Sequence, residues 1–173
     1  MKALYLLIKD ALNNAEMSFK EDGLENIKHI DLYKGQYLSE DYDGFDIPGV
    51  FIEYSIAWKE AGGGIQKGDA TVTLHIVTDN VYDTFGNEEE RGLRGLDLYQ
   101  KIHEAVQNLN SEYISNLRRT TEQPETQDTS QHVHLITYSC ELTDNCTSYQ
   151  NRFTEEEISS IDVKNGIQRT YLT

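Results

Sequence analysis

The sequence contains few cysteines, few basic residues and no long apolar run, and each scarcity excludes a class of protein. Its two cysteines, Cys140 and Cys146, are too few for a disulfide framework, so we expect two reduced thiols. No stretch approaches the roughly 20 apolar residues that a membrane-spanning helix needs. The apolar run near the N-terminus ends at Lys9 and Asp10, too early for the core of a secretion signal. We therefore expect a cytoplasmic protein with no membrane partner.

Basic residues are outnumbered two to one by acidic residues. Lys and Arg total 15 against 30 Asp and Glu, which gives a net charge of −15. Nucleic-acid binding depends on neutralising phosphates with Lys and Arg, and a chain this acidic is repelled from that polyanion. Arg118 and Arg119 form the only adjacent basic pair. The composition predicts no specific nucleic-acid binding.

The chain length of 173 residues suits one domain with a real core. Residues 2–18 predict an amphipathic helix, because apolar residues recur at helical spacing. The stretch 20–46 carries eight acidic and three basic residues, so we expect mostly surface loop, with a short strand near 27–33. We interpret it as an acidic insertion. The apolar positions of the first helix are Leu4, Leu7, Ile8, Ala11, Leu12 and Ala15.

The middle of the chain predicts a β-hairpin. Apolar and polar residues alternate over 50–59 and again over 70–78, the pattern of strands with one face on a core. Residues 61–68 lie between them and include Gly62, Gly63, Gly64 and Gly68, so we expect a long, flexible glycine-rich tip.

The C-terminal half predicts a helix followed by two more strands. Asn87 can cap a helix, and Glu90 stands at the capping-box position. A weak strand over 113–121 and a strong one over 132–142 follow, and then a polar extension, 143–173. The order favours an α+β fold, a mostly antiparallel sheet with two helices packed on one face. The predicted core comprises Leu7, Ile8, Val50, Ile52, Tyr54, Ile56, Trp58, Val72, Leu74, Ile76, Leu98, Ile102 and Val106.

Two histidines form the best candidate for a metal site. Residues two apart on a strand point to the same face, so His132 and His134 could meet one ion. A third ligand would have to come from Asp128, His75 or elsewhere. A small metal-binding module or metal-dependent enzyme is therefore the alternative function.

Other chemical motifs fail their spacing tests. The acidic turn at 41–46 lacks the EF-hand residues at both ends of the loop. The three glycines and Lys67 lack the spacing of a phosphate-binding loop, and a strand follows them instead of a helix. Cys140 and Cys146 lack the spacing of a redox motif. We expect no cofactor and no enzymatic activity.

The central block of the sequence resembles a phage protein family. Residues 48–54, Trp58, the glycine-rich turn, residues 66–68 and residues 71–79 are similar to tail-terminator (tail-completion, head–tail joining) proteins of long-tailed bacteriophages and prophages. The resemblance implies an α+β subunit of a ring, commonly of six copies, that closes the tail tube and joins it to the head. It implies no catalytic residues. Such a protein would be made in the bacterial cytoplasm and end in the virion tail.

We expect this chain to act through partner surfaces: other copies of itself, the tail tube and the head–tail connector. A host regulatory binding module sharing the fold is a further possibility. The residues predicted at the interfaces are Gly62, Gly63, Gly64, Gln66, Lys67, Gly68, Asp41 and Asp43.

Overall fold

The computed structural model describes residues 2–38, 44–79, 89–125 and 131–145. Within these ranges the chain forms three helices, five strands and one 3₁₀ turn (Gln36–Leu38). The helices and strands are α1 (Lys2–Asn14), α2 (Glu16–Glu21), β1 (His29–Leu32), β2 (Gly49–Gly62), β3 (Ile65–Thr78), α3 (Glu89–Val106), β4 (Arg118–Pro124) and β5 (His132–Asp144).

The strands form one open sheet in the order β1-β2-β3-β5-β4. Three of its neighbouring pairs are antiparallel, and β1 runs parallel to β2. The predicted α+β class with a mostly antiparallel sheet is confirmed. Strand β1 confirms the short strand expected near 27–33, although its parallel direction was not predicted. Strand β4 begins at Arg118, later than the weak strand expected over 113–121. The cap at Asn87 lies outside the described residues.

The helices pack on one face of the sheet. Leu4, Ile8 and Leu12 recur every four residues along α1, and all three are buried in one cluster with residues of α3 and the central strands. The helix predicted over 2–18 is interrupted at Ala15, and α2 then buries Phe19 in the same cluster. Among these residues no helix is long and apolar enough to cross a membrane.

The other face of the sheet is partly covered by residues from the predicted acidic insertion. Tyr37 is buried with Phe51, Val77 and Val133, and Tyr33 packs against this group. The stretch 20–46 was expected to be mostly surface loop with a short strand near 27–33. In its described part most residues are loop or turn, β1 lies within the predicted strand, and only Gln36 and Tyr37 are buried. Its aromatic residues supply the apolar area that orders it against the sheet.

Most of the predicted core is confirmed, but four members are not buried. Leu7 and Ile56 are only partly buried against the main cluster. Tyr54 and Trp58 are 41% and 42% exposed. The alternation along β2 placed Tyr54, Ile56 and Trp58 on the correct face of the sheet. It could not show that the strand continues past the end of the buried core.

Candidate functional site

Most residues in the outer part of the β2–β3 hairpin, residues 54–70, are exposed, and we call this part the hairpin arm. Along β2 the first four residues are buried, and from Glu53 onward the side chains are exposed or only partly buried. Tyr54, Ile56 and Trp58 alternate on one face of the arm. The arm therefore presents two half-exposed aromatic rings at the end of the sheet.

The tip of the arm is a tight turn. Gly62 pairs with Ile65, which leaves only Gly63 and Gly64 between the strands. Their φ angles are 63° and 77°, and a two-residue turn with positive φ at both positions favours glycine. The long flexible connection predicted over 61–68 is wrong, because most of those residues continue the two strands.

The predicted interface residues of the arm are brought together near this turn. Gln66 lies between Glu60 of β2 and Asp144 of β5. The Lys67 ammonium lies 3.0 Å from a carboxylate oxygen of Glu141. Gly62, Gly63, Gly64 and Gly68 complete the group, whereas Asp41 and Asp43 lie outside the described residues.

Among the described residues, no strand pairs with one edge of the arm. Strand β1 pairs with β2 only over 49–52, and the Tyr33 N–H donates to the Ile52 carbonyl at 3.0 Å just where β1 ends. Since backbone groups alternate sides along a strand, Tyr54, Ile56 and Trp58 point their N–H and C=O groups to the same side as Ile52. No described segment pairs with these groups. The arm thus combines an open strand edge with exposed aromatic side chains.

The two histidines of the candidate metal site are in different surroundings. His132 is exposed, whereas His134 is buried. The His134 ring stacks on Tyr99 with centroids 4.0 Å apart, and its Nε2 lies 3.0 Å from Glu122 Oε1. Burial lowers the pKa of His134, and the hydrogen bond with Glu122 opposes that shift. The His134 ring is therefore already engaged in stacking and hydrogen bonding within the protein.

The third metal ligand is not supplied by His75. Ile76 pairs with His134 across β3 and β5, so His75 faces the opposite side of the sheet. Among the described residues no group of three potential ligands could hold a metal ion. Asp128, the other named candidate, lies outside them.

His75 instead belongs to a hydrogen-bonded chain that the sequence analysis missed. Its Nδ1 lies 2.7 Å from the Tyr37 hydroxyl, and its Nε2 lies 3.0 Å from Glu53 Oε2. Tyr33 stacks on the imidazole with ring centroids 3.9 Å apart. No sequence signal could have found this group, because its members come from the 3₁₀ turn, β2 and β3.

The hydrogen bonds from Tyr37 through His75 to Glu53 fix the positions of these side chains. Burial lowers the pKa of His75, although Glu53 opposes it, and burial also raises the pKa of Tyr37. Both shifts favour neutral groups, so the Tyr37 hydroxyl donates to Nδ1 and the Nε2–H donates to the Glu53 carboxylate. The contact holds the 3₁₀ turn against the sheet and does not favour proton transfer.

A polar cleft of about 740 Å³ lies beside the arm, between β3, β5 and the segment before β4. Cys140 lines it but is only 8% exposed, and burial raises its pKa. A thiol of this kind is a poor nucleophile, as expected for a small buried apolar residue. Cys140 is a free cysteine among the described residues. Cys146 lies outside them, so the expectation of two reduced thiols stays a prediction.

Comparison with known proteins adds no family assignment. No protein-family model matches the sequence. No curated protein matches it either.

Proposed function

We propose that this chain is a structural assembly protein of a phage or prophage tail, a subunit of the ring that terminates the tail tube and joins it to the head. The observation that carries the proposal is the hairpin arm, with Tyr54 and Trp58 about 40% exposed beside an open strand edge. Exposed aromatic residues are enriched where proteins bind one another. The sequence resemblance supplies the tail as the setting.

The chemistry of the described residues supports assembly better than catalysis. Burial lowers the pKa of His75 and of His134 and raises the pKa of Cys140, so these side chains suit packing better than acid–base or nucleophilic chemistry. The strongly negative charge also suits a lining past which DNA must move, because like charges keep DNA from adhering.

The experiment is complementation of a lysogen whose prophage lacks this gene. We expect Tyr54→Ala to reduce complete, infectious particles while the purified variant keeps its fold. Leu96→Ala is the matched control, since Leu96 is 54% exposed but lies on α3, away from the arm. If both variants complement fully, the arm has no role in tail assembly.

A further inference from the structure

The two edges of the sheet are protected to different degrees. The outer edge at β4 ends in Pro124, has an irregular register between Arg119 and Thr121, and carries exposed charges. These features discourage pairing with another strand. The outer edge of β2 has no proline and no register shift between Gly49 and Glu60. In the part of the chain that the structure describes, the β2 edge is therefore the one that is open to a new strand.

We propose that two copies of this chain pair edge to edge through residues 53–59 of β2, antiparallel about a two-fold axis at Ile56. This contact goes beyond the proposed tail function, since it needs no partner other than a second copy. It extends the sheet continuously from one copy into the other, with the main-chain groups of Tyr54, Ile56 and Trp58 forming the new ladder.

The side chains of this strand are complementary to themselves in that register. Tyr54 of one copy lies opposite Trp58 of the second, and Ile56 lies opposite Ile56. These pairs share the face on which both aromatic rings are half exposed. Aromatic and β-branched pairs are the side-chain contacts that stabilise neighbouring antiparallel strands.

Charge selects the same register. On the other face of the strand, Glu53 of one copy lies opposite Lys59 of the second. The two-fold axis repeats this pair, so each dimer contains it twice. Lys59 is the only basic residue of β2, and each copy carries a net charge of −15. A shift by two residues in either direction would place Glu53 opposite Ala57 or Ala61. Only the register centred on Ile56 pairs the cation with a carboxylate.

The end of β1 limits the length of the contact. In this register Glu60 of the second copy lies opposite Ile52, whose carbonyl already accepts the Tyr33 N–H. The new ladder therefore ends there and stays short. A contact of this size favours a weak, concentration-dependent dimer.

The first test is sedimentation velocity from about 1 µM to about 1 mM, a range that detects weak association. We expect the wild-type protein to form dimers as concentration rises. Glu53→Lys and Lys59→Glu each place like charges opposite one another twice, and each should weaken the dimer at least about tenfold. An equimolar mixture of the two variants restores both opposite-charge pairs and should again dimerise.

The mixture controls for damage within each copy, because Glu53 also contacts His75 and Lys59 also contacts Asp69. A variant damaged in its own fold would not be rescued by the other variant. Circular dichroism of each variant alone confirms the fold. A wild-type protein that stays monomeric at the highest concentration would overturn the proposal, and so would a mixture no more dimeric than its components.

The second test fixes the register. Residues opposite one another in a hydrogen-bonded antiparallel pair have Cα atoms about 5.5 Å apart, within the reach of a disulfide. Ile56→Cys should therefore form a cross-linked dimer on mild oxidation. Ser55→Cys, on the opposite face and off the axis, should not, and the wild-type protein controls for the native thiols. Equal cross-linking of both variants would contradict the register. Because these tests use only purified protein, their failure is distinguishable from failure of the tail function.

Discussion

The indole ring of Trp58 lies against the α-carbon of Gly68 on the neighbouring strand. A Cβ added at Gly68 would lie 2.9 Å from Trp58 Cε3 and 2.7 Å from Ile56 Cγ2. Gly68 is consequently buried although it lies on the arm. This glycine provides space for the aromatic ring, and it is not a hinge of the hairpin.

Gly68→Ala is expected to destabilise the protein by about 1–3 kcal/mol, because the new methyl group overlaps two side chains. Trp58 is the only tryptophan, so its fluorescence should change in the folded variant. Denaturant unfolding gives the free energy. In a Trp58→Ala background the same substitution should cost less, and an unchanged cost in this double-mutant cycle would contradict the packing.

The buried and exposed halves of β2 should differ in their response to truncation. Ile52→Ala removes a side chain that is 2% exposed, and we expect a loss of about 2–5 kcal/mol in the free energy of unfolding. Tyr54→Ala, only two residues along the strand, should cost less than about 1 kcal/mol. Chemical denaturation measures both, and equal losses would mean that the core extends into the arm.

The His75 contact should make stability depend on pH. Burial lowers the pKa of His75 below its ordinary value of 6.5, so the unfolded chain binds the proton more readily than the folded chain does. The contribution of His75 to the free energy of unfolding is complete above pH 6.5. It is lost as the pH falls toward the pKa of His75 in the folded protein. We expect the free energy of unfolding to decrease between pH 7.5 and 5.5.

The matched variant for this pH dependence is His75→Gln. It should be less stable than the wild type at pH 7.5, because it breaks the contacts with Tyr37 and Glu53. It should also lose less stability on acidification. His134 has a pKa shifted in the same direction, so some dependence should remain. An unchanged pH slope in the variant would exclude His75 as its source.

Metal removal should leave the fold unaffected. His134 is already hydrogen-bonded to Glu122 and stacked on Tyr99, and His75 lies on the opposite face of the sheet. We therefore expect the same melting temperature with and without a chelator, and less than one metal ion per chain in elemental analysis. A melting temperature that falls by several degrees and recovers with zinc would favour the metal-binding alternative.

Local patterns predicted the elements that have strong periodicity. Alternation located β2, β3 and β5, and the spacing of Leu4, Ile8 and Leu12 located α1. The parallel strand β1 was less apparent, because its four residues are all half-buried and show no alternation. Its order comes from pairing with β2, which is a tertiary effect.

The glycines of the hairpin were misinterpreted for a related reason. Gly63 and Gly64 satisfy the dihedral angles of a tight turn, and Gly68 leaves space for Trp58. In the sequence these three positions are indistinguishable from a flexible loop. The contact between Tyr37, His75 and Glu53 was likewise unpredictable, since it depends on how the 3₁₀ turn packs on the second face of the sheet.

The central claim, that this chain is a structural part of a phage tail, is tested most directly by its position in assembled particles. Antibody-gold labelling of purified virions or tails, viewed by electron microscopy, gives that position. The proposal predicts label at the end of the tail tube that joins the head, and detection of the protein by mass spectrometry of the same particles. Absence of the protein from purified particles, while it is abundant in the producing cells, would contradict the account.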